Sequence, residues 1–189
     1  MDLLGQRVKL RLMKEKDAEA LYCIVQESPE LWTYMVRKLE SFEDMKKIVI
    51  EAIEDYKKGK ALPFIVIDQK TNKIVGSTRL YDISFNHRTL ELGSTFYSPS
   101  VQRTGTNTEC KYLLLQHAFE KLEMIRVQIK TDEQNKRAQK AIERLGARKE
   151  GVLRNERTLP NGRIRDAVIY SIIKEEWPLI KEKLEIYLE

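Results

Sequence analysis

The stretch Glu91–Leu122, ELGSTFYSPSVQRTGTNTECKYLLLQHAFEKL, constrains the chain most, because its period changes halfway along. Glu91 to Tyr97 has strand character, with Thr95, Phe96 and Tyr97 at its end. Ser98-Pro99-Ser100 stops that strand, since proline has no N–H for a sheet ladder. From Thr108 the pattern becomes helical, and Leu115, Ala118, Phe119 and Leu122 fall on one face. Gln102-Arg103-Thr104-Gly105-Thr106-Asn107 joins the two. A loop there offers several backbone N–H groups at the positive end of a helix, which suits a phosphate or pyrophosphate. Gly105 lets the backbone approach an anion closely, and Arg103 adds a permanent cation. The loop is not a Walker loop, since no Gly-Lys-Ser/Thr follows, and it lacks the G-x-G-x-x-G of a dinucleotide fold. Taken alone, it could equally be a plain connector.

The flanking sequence predicts alternating elements. Arg7–Leu12 reads as a first strand, with Val8, Leu10 and Leu12 on one face, and Asp17 as the N-cap of a helix burying Leu21, Ile24 and Val25. Leu31–Leu39 is rich in large side chains. Trp32 and Tyr34 there serve either as core or as a flat wall for a substrate. Ser41–Asp44 resembles a capping box ahead of a helix with Phe42, Met45, Val49, Ile53 and Tyr56 on one stripe and Gly59 at its end. Phe64–Ile67 and Ile74–Leu80 read as a hairpin, residues 81–89 as a loop with a solvent-facing His87, and Arg126–Thr131 as a strand. Lys136–Leu145 reads as a helix closed by Gly146. A long hairpin then turns at Asn161-Gly162, and a helix from Glu175 to Leu188 ends the chain. Alternating strands and helices followed by hairpins predict a mixed α/β layer fold.

The spacing Gln102-x-x-Gly105-x-Asn107 resembles the Q/R-x-x-G-x-G/A signature of the GNAT acetyltransferase superfamily, with Asn107 replacing the final small residue. Asn135-x-x-Ala138 followed by Leu145-Gly146 is similar to the family's second cofactor motif. Residues 148–154, Asn161-Gly162 and 166–173 resemble its closing hairpin. Glu176-Trp177 is similar to the branch that acetylates ribosomal-protein N-termini. The likeness is strongest over residues 74–177. It implies one GNAT domain over residues 1–189, with a central, mostly antiparallel twisted sheet flanked by helices. It further implies an acetyl-CoA site formed by Phe96, Tyr97, Gln102, Arg103, Thr104, Gly105, Thr106, Asn107, Thr108 and Asn135, and a primary amine as acceptor. A protein N-terminal α-amine is favoured, and a small-molecule amine stays open.

Acetyl transfer to an amine needs a proton acceptor, N–H donors for the oxyanion and a proton for the departing thiolate. Glu91 lies fourteen positions before Gly105, where several GNAT enzymes carry a working glutamate, so the resemblance implies a base there. Ser94 is the second catalytic candidate, holding a water or the leaving sulfur. Each also has a plain reading as a strand residue. Where many GNAT enzymes place a tyrosine as general acid, seven residues after the asparagine, this chain has Ile142, which leaves the acid unassigned. A non-catalytic acyl-CoA sensor is the rival from another class.

Composition narrows the rest. In 189 residues, 42% hydrophobic and 33% charged with both signs mixed, there is enough for one domain with a real core. No apolar run approaches a membrane span, and MDLLGQRVKL lacks a signal-peptide h-region. The net charge of +5 suits a nucleotide-like anion as well as nucleic acid, but no aromatic-interleaved basic stretch or recognition helix supports nucleic acid. Cys23 and Cys110 are expected as buried free thiols in a cytosolic setting. His87 and His117 stand apart, so no metal is expected. A homodimer stays open.

Overall fold

The computed structural model describes residues 1–189 and begins with a small hairpin, β1 (Asp2–Leu4) and β2 (Val8–Leu12). Helices α1 (Ala18–Glu27) and α2 (Phe42–Lys57) follow. Three strands come next, β3 (Leu62–Asp68), β4 (Lys73–Ser84) and β5 (Thr89–Tyr97), and then helix α3 (Thr106–Gln116). The last elements are β6 (Arg126–Asp132), α4 (Lys136–Arg144), β7 (Arg148–Thr158), β8 (Ile164–Ile173) and α5 (Trp177–Leu188). The strands form one sheet in the order β1-β2-β3-β4-β5-β6-β8-β7. Every neighbouring pair is antiparallel except β5 and β6.

Two apolar layers sandwich the sheet. One face packs α3 and α5 through Leu90, Leu92, Leu114, Phe119 and Trp177. The other packs α1 and α2 through Leu21, Met45, Val49 and Phe96. Period-two alternation sorts β5 between them: Leu92 goes to the α3 face, and after an extra residue Phe96 goes to the α2 face.

Several expectations need correction. β1 was not foreseen, because three residues carry too little periodicity. Asp17 makes no side-chain cap to α1. Its buried carboxylate instead pairs with Arg11 at 2.6 Å and accepts the Lys14 N–H at 2.7 Å. Phe42 and Tyr56, the ends of the α2 stripe, are exposed, and Met45, Val49 and Ala52 carry its burial. Residues 81–89 are no loop: β4 runs on to Ser84, and only a tight turn separates it from Thr89. Helix α3 starts two residues earlier than its apolar period, since Gly105 rather than a hydrophobic residue sets its start. Cys110 is buried, but Cys23 lies on the outer side of α1 and is exposed. The Ser41–Asp44 capping box, the caps at Gly59 and Gly146 and the turn at Gly162 take the expected form.

One buried carboxylate ties α3 to the N-terminal hairpin. Glu109 accepts the backbone N–H groups of Gln6, Arg7 and Val8 at 2.8, 2.9 and 2.9 Å. A Cβ at Gly5 would stand 2.6 Å from that carboxyl carbon, so a side chain there would push the carboxylate off its three donors. Glu109→Ala leaves three donors without a partner. Unfolding free energy in a denaturant titration is expected to fall by about 3 kcal/mol or more.

Candidate active site

β5 and β6 are joined only over Thr89–Glu91 and Arg126–Gln128. Beyond that point β5 continues with β4 and β6 continues with β8, so the two strands part. Backbone groups of β5 that face the gap have no strand partner there. The gap opens into a cleft of about 1980 Å³. Val101, Gln102, Arg103, Gly105 and Asn107 of the loop and the N-terminal end of α4 line one part, and Trp32, Tyr34, Arg79, Tyr81 and Glu91 line another.

In the first part, Gly105 is the N-cap residue of α3 with φ +86°, and it has no side chain to cap the first-turn N–H groups. The first helical bond runs from the Glu109 N–H to the Gly105 carbonyl, so the N–H groups of Thr106, Asn107 and Thr108 remain free for an anion. Arg103, also left-handed with φ +63°, is exposed beside them. Gln102 donates to the Tyr97 carbonyl at 3.2 Å and accepts from Arg137 at 2.7 Å, which fixes the loop against α4. Thr104 shares a 2.9 Å hydrogen bond with Thr106. Asn135 caps α4, accepting the Ala138 N–H at 3.0 Å, and lines the cleft with its amide nitrogen uncommitted. Free N–H groups, nearby guanidinium groups and an uncommitted side-chain amide fit a pyrophosphate followed by an amide-bearing arm.

At the apex of the gap Glu91 is 3% exposed. Its carboxylate accepts from the Tyr81 hydroxyl, from Gln128 Nε2 at 3.0 Å and from Lys130 Nζ at 3.2 Å. Burial and the adjacent carboxylate push the Tyr81 phenol up, so Tyr81 stays a donor. Ser94, three residues on, is exposed in the cleft with φ +50°. It is the extra residue of a β-bulge: β4 advances from Ser77 to Arg79 while β5 goes from Phe96 to Gly93. Trp32 is half-buried, stands edge-on to Phe96 at 5.3 Å and donates to the Arg37 carbonyl at 2.7 Å. It is therefore core on one side and cleft wall on the other. Tyr34 lines the same wall. The Phe96 ring belongs to the α1–α2 layer and Tyr97 to the α3 side, where its hydroxyl is buried. Ile142 packs against the core, and the Tyr112 and Tyr170 hydroxyls donate to Glu185 and Glu143, so neither of those two tyrosines is free to act as the acid.

Sequence reasoning missed Tyr81, Arg79, Gln128, Lys130 and Lys111. Tyr81 was hidden by reading residues 81–89 as a loop, and Arg79 lay in the expected Ile74–Leu80 strand with no signal that its side chain faces a cleft. Continuing the period-two strand one turn further places Tyr81 opposite Glu91.

The family profile described as an acetyltransferase (GNAT) domain matches residues 7–148. Uncharacterized N-acetyltransferase p20 of Bacillus licheniformis is 27% identical, covering 93% of this chain and 97% of that protein. A Bacillus subtilis protein named "Putative ribosomal N-acetyltransferase YdaF" is 26% identical over 92% of this chain and 95% of its own. The crystal structure of a GCN5-related N-acetyltransferase from Brucella melitensis superposes with a TM-score of 0.91 at 25% identity, covering 100% of this chain and 86% of that one. The chain belongs to the GNAT acetyltransferase family, and its mixed sheet flanked by five helices is the GNAT fold. Its chemistry is acetyl transfer by an N-acetyltransferase, with acetyl-CoA as the family's donor. No helix is long and apolar enough to cross a membrane, and no group of three or more His, Cys, Asp or Glu is placed to hold a metal ion.

A carboxylate introduced at the mouth of α3 would repel a pyrophosphate bound there. Gly105→Asp, which also strains the backbone at φ +86°, is expected to weaken acetyl-CoA binding by about 2 kcal/mol, roughly 30-fold. Calorimetry on the folded variant checks it, and unchanged affinity would place the pyrophosphate elsewhere.

Proposed function

We propose that the chain acetylates a primary amine, with a protein N-terminal α-amine as the favoured acceptor, by direct attack within a ternary complex. The observation that carries this reading is the β5–β6 gap, which holds the pyrophosphate loop and a separate aromatic-walled mouth in one cleft. The printed name of the YdaF relative supports a ribosomal-protein acceptor.

In this reading the thioester lies in the gap and the amine enters past Trp32 and Tyr34. The amine must lose a proton before its nitrogen can attack the carbonyl carbon. Glu91 takes that proton, directly or through a water held by Ser94. Three donors occupy part of the carboxylate's roughly four lone-pair sites, and what remains faces the cleft. Gap-facing N–H groups of β5 bind the oxyanion. The carbon–sulfur bond then breaks, and solvent protonates the thiolate. Holding both substrates in one cleft removes any need for an acyl-enzyme. The three-donor grip on Glu91 also favours a second reading, in which Glu91 is a clamp at the apex and solvent takes the amine proton.

Glu91→Gln separates these. As the base, Glu91 is expected to leave acetyl-CoA affinity intact on mutation while kcat/KM falls by about 10²–10⁴. Near-wild-type kcat/KM on a verified acceptor would make it a clamp only. For the acceptor, Trp32→Ala is expected to raise the acceptor KM with the acetyl-CoA Kd unchanged. A lower Tm with unaltered kinetics would assign Trp32 to the core. A screen of free and N-terminally blocked peptides alongside small amines, read as CoA release, tests the acceptor class. Release with small amines but with no free N-terminal peptide would overturn the protein-acceptor reading.

A further inference from the structure

Lys111 lies on the inner face of α3, and the steps above make no use of it. It is 9% exposed and lines the cleft. Its Nζ donates to Thr95 Oγ1 at 2.7 Å and to Thr78 Oγ1 at 3.3 Å. The two hydroxyls are 2.8 Å apart, and the Thr95 hydroxyl donates to the Gly93 carbonyl at 3.1 Å. An ammonium only donates, so both threonine hydroxyls accept from Lys111, and the geometry lets the Thr95 proton go on to the Gly93 carbonyl while Thr78 donates to Thr95. This chain spans the bulge, with Ser94 at φ +50° at its centre and the β4 register slipping across it.

No carboxylate balances the charge. The neighbouring Glu109 is turned away to the N-terminal hairpin. The titratable group acting on Lys111 is Cys110 on its own helix, whose thiol in turn meets the Tyr97 phenol on β5. Burial pushes the Cys110 thiol up to about 12 and the Tyr97 phenol well up, so both stay neutral. Burial also draws Lys111 down to about 8. An apolar side chain of the same length would fill this position with less desolvation. Charges held in a cleft at the expense of stability mark working positions.

We propose that Lys111 is a positioning residue for acetyl transfer: acting through Thr95, its ammonium holds the Gly93–Thr95 bulge and so aims the gap-facing N–H groups of β5 at the thioester. The proposal rests on the thioester lying in the β5–β6 gap. It predicts a separation of stability from rate that a merely structural lysine would not give.

The test uses Lys111→Met, Lys111→Arg and Thr95→Val in the full chain, with acetyl-CoA as probe. Lys111→Met is expected to keep or raise Tm at pH 7, to hold acetyl-CoA affinity within about 3-fold by calorimetry and to slow single-turnover CoA release by at least 10-fold. Hydrogen exchange at the amides of residues 93–97 should quicken while the rest of the sheet is unchanged. Thr95→Val should reproduce the rate and exchange effects, and Lys111→Arg should restore part of the rate. Between about pH 8 and ~10.4 the unfolded chain keeps a proton that the folded protein has released. Wild-type stability should therefore rise with pH relative to Lys111→Met over that window. Unchanged exchange at 93–97 in Lys111→Met, or in Thr95→Val if the methionine variant fails to fold, would overturn the proposal. So would a lowered Tm with wild-type CoA release. Loss of acetyl-CoA binding in the wild type would overturn instead the placement of the thioester.

Discussion

The parting of β5 from β6 is the constraint on which the rest of the site depends. Parallel pairing stops at Glu91 and Gln128, and the sheet survives the break because each strand has a partner on its other side. Glu91 sits at the last paired position, and its carboxylate reaches across to the side chains of Gln128 and Lys130 on β6. The same residue therefore closes the apex and faces the cleft beyond it. A sheet edge inside a protein is normally a liability, because its N–H and C=O groups lack partners. Here those groups line the cleft, where a bound thioester arm can supply what the missing strand does not.

Around this gap the structure fixes two ends by different means. The end proposed for the anion is built from backbone: Gly105 at positive φ, free first-turn N–H groups, and a helix anchored by Glu109 to the turn before β2. The end proposed for the acceptor is built from side chains of the α1–α2 connection, with Trp32 seated on Phe96. Backbone geometry suits a donor whose pyrophosphate never varies. A side-chain wall carried by an irregular segment can be tuned to an acceptor without disturbing the sheet.

What the sequence shows of this architecture follows from how local each signal is. The strand-to-helix transition at 91–122, the capping box at Ser41 and the Asn161-Gly162 turn are local, and each has its structural counterpart at the expected place. The family pattern placed the loop and Asn135 on one cleft. Non-local contacts were not legible. Tyr81, Gln128 and Lys130 meet Glu91 only through strand register, and misreading residues 81–89 as a loop removed Tyr81 from that register. Asp17 read as a cap because its type and position fit, yet the partner that claims it, Arg11, lies on a strand. Lys111 carries no local signal, since nothing in ECKYLLL marks it as facing inward.

The most direct measurement is the hydrogen-exchange footprint of acetyl-CoA on the whole chain, which requires no knowledge of the acceptor. Binding in the β5–β6 gap should slow exchange together in three places: residues 92–97 of β5, the amides of Thr106–Thr108 at the start of α3, and the start of α4 after Asn135. Protection at the α3 start without residues 92–97 would mean that the nucleotide end binds while the thioester lies outside the gap. Protection in none of the three would contradict this cleft as the acetyl-CoA site.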